Sequence, residues 1–431
     1  MTSKRADFVT NRVALALVFT LSFMGYMTPD LSTSVQLAPL GLFAALVFFK
    51  VVWSESVLDA VSSLFEVDGL LYVLFISILI IAPSVASDSG KSIETAVLIA
   101  ICLVLARIYM AVVPVQEVLE AFFWSGIVSI GLLTLLAFAS LVQSIQTLER
   151  FSPFSFHPNL LAFLLAGYFC AMAWKFITGN WRMKILTGLF GSLCLVITFF
   201  ASSRGSIVGI LAGCLFGTGI AIVRARREAR KKVVRFGLFV AVALMGLFLY
   251  IQNLEWTRNT YAFADQVLQL SQEYRGIDSG FSGRFDKWRA TANVLSDGSW
   301  IFGKGIRSSD SMQDNLIDNS YLVILYEVGL IPLLLITWRF LYVSRRFLSG
   351  YFQSTDKEQR YVCLVCGMLM AVFLVNNIVA RFLFSVGNPY SLAALLLFAT
   401  PTRLLPSLFN TPRRAQGNTI HALGTQTQLL S

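Results

Sequence analysis

Histidine is almost missing from this 431-residue chain, in which only His157 and His421 occur. So sparse a supply leaves no His-based metal cluster and no Ser-His-Asp arrangement to look for, and no metal or other cofactor is expected. Charge is scarce too. Charged residues make up 13% of the chain, against about 25% in soluble domains, while 56% of residues are hydrophobic and the mean hydropathy is +0.70. That balance excludes a soluble globular protein and predicts an all-α, polytopic membrane protein. Cysteine is limited to six residues. Cys363 and Cys366 have redox spacing, but they sit in an apolar run, as do Cys102, Cys170, Cys194 and Cys214, so core packing is expected and no disulfide framework. A Gly-x-x-x-x-Gly-Lys-Ser/Thr loop is absent, which excludes nucleotide hydrolysis of that kind as the driving reaction.

What the chain has in abundance is apolar length. Windows of roughly 20 residues, enough to cross a hydrocarbon core as helix, begin near residues 13, 34, 69, 95, 121, 159, 184, 205, 233, 318, 361 and 389. About twelve spans are expected. The first follows Lys4, Arg5 and Arg12 but lacks a small-residue cleavage site after it, so it reads as a retained anchor. With both termini cytoplasmic, about two thirds of the 34 Lys and Arg residues fall on the cytoplasmic side. The anchors of that orientation are the run Arg224, Arg226, Arg227, Arg230, Lys231, Lys232 and Arg235 and the cluster Arg339, Arg345, Arg346, Lys357 and Arg360. These clusters report topology, so the net charge of +10 implies no nucleic acid.

The expected organisation is a bundle of nine spans over residues 1–252, an external loop over 253–317, three further spans over 318–405 and a polar, disordered cytoplasmic tail over 406–431. Four polar stretches share the external face: 153–158, 201–204, 253–317 and 380–388. The loop is far longer than ordinary connections, and its many aromatic residues, among them Trp256, Tyr261, Trp288 and Trp300, argue for order. Within it Phe285, Trp288, Ala292 and Leu295 recur at helical spacing, with Ser282 as the expected N-cap of an amphipathic helix.

Four external cations could converge on an anionic lipid headgroup: Arg204, Arg284, Arg381 and Lys304. Arg204 taken alone would be read as a snorkelling boundary residue. Its neighbours Ser202, Ser203, Gly205 and Ser206 instead permit a broken backbone, which survives at membrane depth only where it lines a cavity or is buried in protein. Gly205, Gly209 and Gly213 at spacing four predict a helix-packing face. Asp318-Asn319-Ser320-Tyr321 opens the tenth expected span, with Asp318 either its N-cap or a general base. Glu327, about two turns into that span, should be neutral or paired with a cation. His157 reads as a residue at a span mouth, and Arg107, within a span, as a snorkelling or pairing residue.

From about His157 to about Tyr390 the chain resembles the O-antigen ligase and polysaccharide polymerase superfamily. The resemblance is carried by Phe156-His157-Pro158-Asn159, Ser202-Ser203-Arg204-Gly205, Ser282-Gly283-Arg284 leading to Trp288, Phe302-Gly303-Lys304-Gly305, and Asp318-Asn319-Ser320-Tyr321-Leu322 with Glu327 and Gly329. It implies a helical fold related to lipid-linked, GT-C type glycosyltransferases, set in a bacterial inner membrane. The implied reaction moves a sugar chain from polyprenyl pyrophosphate, such as undecaprenyl pyrophosphate, to an acceptor hydroxyl on the external face. Arg204 and Arg284 would hold the leaving pyrophosphate, with Arg381 a weaker third. Lys304, Asn319, Tyr321, His157, Trp288 and Glu327 would complete the substrate site. Ligases usually carry a histidine, thought to take the acceptor proton, where this chain has Asp318. That departure favours a polymerase, whose acceptor is another lipid-linked repeat unit, over a ligase, whose acceptor is lipid A core or protein. A chain-length regulator and export machinery are candidate partners beside membrane lipid. A reading of another class is a flippase for lipid-linked oligosaccharide, against which stands the missing two-half repeat.

Overall fold

The computed structural model describes residues 2–27, 33–53, 57–65, 67–81, 89–155, 157–224, 262–263, 265–269, 271, 280–295, 298–311, 317–381 and 388–401. Among them the regular structure is helical, without strands. The order is α1 (Thr2–Met27), α2 (Thr33–Trp53), α3 (Val57–Ser62), α4 (Val67–Ile81), α5 (Ser89–Val112), α6 (Val115–Leu136), α7 (Phe138–Thr147), α8 (Pro158–Thr178), α9 (Trp181–Phe200) and α10 (Arg204–Arg224). After the loop helix α11 (Gly280–Leu295) come α12 (Ser320–Glu327), α13 (Leu330–Gln353), α14 (Lys357–Asn376) and α15 (Pro389–Ala399).

Six of these, α5, α6, α8, α9, α10 and α14, are long and apolar enough to cross a membrane, and each coincides with an expected window. The windows near 13, 34 and 389 correspond to shorter apolar stretches, Asn11–Gly25, Leu37–Val52 and Pro389–Ala399. The chain is therefore a multi-pass membrane protein. The expected ninth span near 233, part of the loop and the tail lie outside the described residues.

The tenth expected span needs correction. It does not start at Asp318 and run past Glu327: α12 ends at Glu327, and the long helix α13 begins only at Leu330. The break is built by Gly329, whose φ of 95° belongs to the left-handed region, and by Leu330, whose N–H donates to the carbonyl of Trp300 at 3.0 Å instead of continuing the helix. A Cβ on Gly329 would lie 2.3 Å from the Ile301 carbonyl oxygen, so the loop presses against backbone here.

Helix α8 is the centre of the bundle. It packs on α6, α9, α10 and α14, and its Tyr168 and Trp174 are fully buried. Close approach comes from small residues, as hydropathy alone cannot hold helices together in lipid. The expected glycine face of α10 lies on α14 and extends one turn further than predicted. Cβ atoms added at Gly205, Gly209, Gly213 and Gly217 would lie 2.5, 2.3, 2.9 and 2.7 Å from Val379, Asn376, Val372 and Met368.

Helix α15 is too short to span and ends inside the protein, where its last carbonyls need donors. Two buried arginines supply them. Arg339 Nε donates to Phe398 O at 3.0 Å and its Nη2 to Thr400 O, while Arg107 Nη1 donates to Ala399 O at 3.2 Å and its Nη2 to Ser63 O at 2.8 Å. Arg107 is thus a pairing residue, and Arg339 serves the interior of the bundle beyond any part in topology.

Candidate active site

The break between α9 and α10 is a tight turn. Ser202 takes a left-handed φ of 53°, and the Ser203 carbonyl accepts from the N–H groups of Ser206 and Ile207 to start α10. The Ser203 and Ser206 hydroxyls pair at 2.9 Å. Carbonyls left over at the end of α9 are satisfied from the α7–α8 connection: Phe151 N–H donates to Phe200 O and Arg150 Nε to Ala201 O. Arg150 also donates to Asn159 Oδ1 at 2.8 Å, which ties the start of α8 to the turn. Ser202 and Ser203 are buried by this packing.

Above the turn lies a small open cleft, lined by Asn159, Phe163, Ser202, Ser203, Arg204, Gly205, Arg284 and Val379. Arg204 and Arg284, eighty positions apart in the chain, therefore share one wall-to-wall space. Arg284 reaches it from α11, which begins at Gly280, two residues before the expected cap at Ser282, and ends at Leu295 as expected. The C-terminal end of α11 is fixed by an apolar cluster of Leu295, Ile317 and Tyr326 with Leu322, Val323 and Leu325 of α12. Burial of such side chains is worth roughly 1.5–3 kcal/mol each, enough to hold a short loop helix in place.

Asp318 is not the cap of α12; that role falls to Asn319, whose Oδ1 accepts from the N–H groups of Tyr321 and Leu322. The Asp318 carboxylate instead faces α11, where Oδ2 lies 3.9 Å from Arg284 Nε and 3.7 Å from Lys287 Nζ. Burial draws the Arg284 guanidinium down from its ordinary value, and Asp318 acts against that shift. The guanidinium remains cationic at any physiological pH. Lys287 was not singled out in the sequence, although its spacing from Arg284 on a predicted helix was a usable signal.

The other expected residues do not line the cleft. Arg381 is exposed and pairs with Asp310 Oδ1 at 3.1 Å; the other carboxylate oxygen of Asp310 takes Arg307 Nε at 2.6 Å. Arg381 does not line the cleft. Lys304 sits in a backbone clasp, its N–H on Tyr326 O at 2.8 Å and that of Gly305 on Glu327 O at 2.9 Å. Gly303, at φ 77°, could carry no side chain there, since a Cβ would lie 2.5 Å from Glu327 O. Tyr321 donates from its hydroxyl to Leu374 O at 2.9 Å and so anchors α12 to α14. Trp288 meets Phe285 edge-on at 5.4 Å, and its buried indole N–H finds no hydrogen-bond partner among the described residues. His157 is exposed at the start of α8, while its neighbour Asn159 reaches the cleft. Glu327 is buried beneath the clasp at the end of α12 and accepts from the Ser309 hydroxyl. Burial pushes its carboxyl up, only partly offset by Ser309 and by the backbone at Arg307 and Ser309.

Two further residues were given no role from the sequence, Asn159 at the cleft and Arg150, which pairs with it. Asn159 was visible within Phe156-His157-Pro158-Asn159; Arg150 carried no signal, as its purpose depends on carbonyls fifty residues away.

A search of curated proteins gives no match. A family model described as O-Antigen ligase matches residues 189–337, roughly a third of the chain, from within α9 to within α13. Those residues, which carry Arg204, Arg284, Asp318 and the clasp, are thus similar to the O-antigen ligase family.

Proposed function

We propose that the protein is a polysaccharide polymerase of the bacterial inner membrane, working on its external face with both termini in the cytoplasm. The donor is a glycan chain on polyprenyl pyrophosphate, and the acceptor is a sugar hydroxyl of a second lipid-linked repeat unit. In the transfer the bond between the anomeric carbon and the pyrophosphate breaks and a bond to the acceptor oxygen forms. The acceptor proton leaves to a base, and the pyrophosphate departs with the bonding electrons.

The observation that carries this reading is the meeting of Arg204 and Arg284 in one cleft. Negative charge develops on the leaving pyrophosphate, and preorganised guanidinium groups bind phosphate bidentately and stabilise such charge without reorganisation. In this reading the two arginines, rather than a metal ion, carry the leaving group. Asp318, whose carboxylate lies 3.9 Å from the cleft-lining Arg284, is the candidate base, a role typically worth about 10²- to 10⁴-fold. Arg381 and Lys304 lie in the surrounding external layer and would meet more distant parts of the glycan. The sideways route for the polyprenyl tail runs past α9 and α10, whose outer faces carry exposed Leu189, Val196, Val208 and Leu211.

A ligase reading is favoured by the description of the matching family, and it differs only in the acceptor. The flippase reading gains no such support. Deleting the gene in its host and analysing lipid-linked and surface carbohydrate separates the three. Single repeat units left on the carrier or on the final acceptor mean polymerase, and full-length chains stranded on the carrier mean ligase. Growth of labelled chains by purified protein in detergent, where no sidedness exists, excludes pure transport; no growth there and no change on deletion would overturn the transferase reading.

A further inference from the structure

Lys287 lies one helical turn from Arg284 on α11, so the two side chains emerge from the same face. Both approach a single atom, Oδ2 of Asp318, at 3.7 and 3.9 Å. These are ion-pair contacts longer than hydrogen bonds, and the Asp318 side chain is 41% exposed. One carboxylate oxygen therefore stands within ion-pair reach of both cations. The backbone that carries this carboxylate is fixed in place, because Ile317 before it is fully buried and Asn319 after it caps α12.

We propose that Arg284 and Lys287 form a two-cation clamp for a diphosphate, with Asp318 the placeholder anion that keeps them in register while the site is empty. This rests on the reading of the cleft given above; Lys287 lies outside the cleft's lining and would meet the diphosphate from beside Arg284. Two cations sharing one oxygen cannot lie further apart than the sum of the two contacts, and the two phosphoryl groups of a diphosphate bridge such a span. A diphosphate carries more charge and more acceptor oxygens than a carboxylate, so it takes over both contacts. Asp318 is released as the donor enters, which orders donor binding before proton acceptance.

The test measures binding of inorganic pyrophosphate to the purified full-length protein in detergent, by calorimetry and by thermal shift. The wild type should bind. Lys287→Ala should bind about tenfold more weakly, the usual scale for one lost charge-assisted contact, and Lys287→Arg should restore binding. Asp318→Asn should bind pyrophosphate about threefold more tightly, because the competing charge is gone. In chain-growth assays Lys287→Ala should raise KM for the lipid-linked donor more than it lowers kcat, and Asp318→Asn should lower kcat without raising that KM. A role confined to folding would lower the melting temperature of the ligand-free variants and leave that split absent. Unchanged pyrophosphate binding in Lys287→Ala, or none in the wild type, overturns the clamp, even where chain growth proceeds. Binding that depends on Lys287 in a protein that makes no polymer leaves the clamp standing and sinks the transferase reading.

Discussion

Two pairs of arginines in this chain are used in opposite ways. Arg107 and Arg339 are buried and spend their donors on backbone carbonyls at the end of α15 and α3. Arg204 and Arg284 line an open cleft beside the α9–α10 turn. The same guanidinium group thus serves as a helix terminator in one place and as a wall of a binding space in the other. What differs is the surroundings: a helix end buried in protein offers carbonyls that nothing else can satisfy, whereas the α9 terminus already has Arg150 and Phe151 as its donors.

The contrast is broken most sharply by substitution at the cleft. Arg204→Ala and Arg284→Ala should each cut polymer formation by about 10²- to 10³-fold with protein abundance unchanged, scored by carbohydrate gels against immunoblots. Lys at either position should rescue poorly, since it lacks the bidentate fork. Normal polymer length in both alanine variants would remove the basis of the proposed function. At the other pair, Arg339→Ala should cost about 2–4 kcal/mol by leaving the Phe398 and Thr400 carbonyls unpaired, seen as reduced abundance and a lower Tm. Turnover per folded molecule should stay near that of the wild type. A variant that folds normally but has lost turnover would erase the distinction between the pairs.

Smaller effects sharpen it. Gly209→Ala should cost about 1–3 kcal/mol, because the new Cβ would lie 2.3 Å from Asn376 Oδ1 and separate α10 from α14 just below the cleft; thermal melting in detergent measures it. The smallest effect is expected at Glu327. Its carboxyl is pushed up by burial, so the folded state favours the protonated form. That contribution is complete below the ordinary carboxyl value and is lost as pH rises through the raised value in the folded state. Glu327→Gln should therefore match the wild type at low pH and exceed it in Tm by about 2 °C above that window. A stability gap that closes as pH rises would contradict the assignment.

Much of the cleft was legible as residue types in order, and little as geometry. Arg204 was marked by a polar break between two apolar runs, a local signal that hydropathy exposes. Arg284 was marked by its place in an aromatic loop helix. Arg381 carried a weaker local signal, and it pairs with Asp310 outside the lining of the cleft. The segment Gly303-Lys304-Gly305 was read for its charge and proves to be a backbone clasp, because its purpose depends on the turn before Gly329, about 25 positions later in the chain. The tenth span was misplaced for the same reason: the apolar run continues through Val328 and Gly329, and only the carbonyl of Trp300 shows that the helix stops.

By itself the sequence determined that the chain is helical, crosses a membrane several times and carries a family of cations around two polar breaks. Hydropathy and small-residue spacing are properties of single segments, and lipid forces each apolar segment to satisfy its own backbone as helix. Which cations meet was decided only in three dimensions. Long side chains reach their partners across elements, and the choice between a carbonyl, a carboxylate and an open cleft depends on which helix ends and loop segments packing has brought within reach.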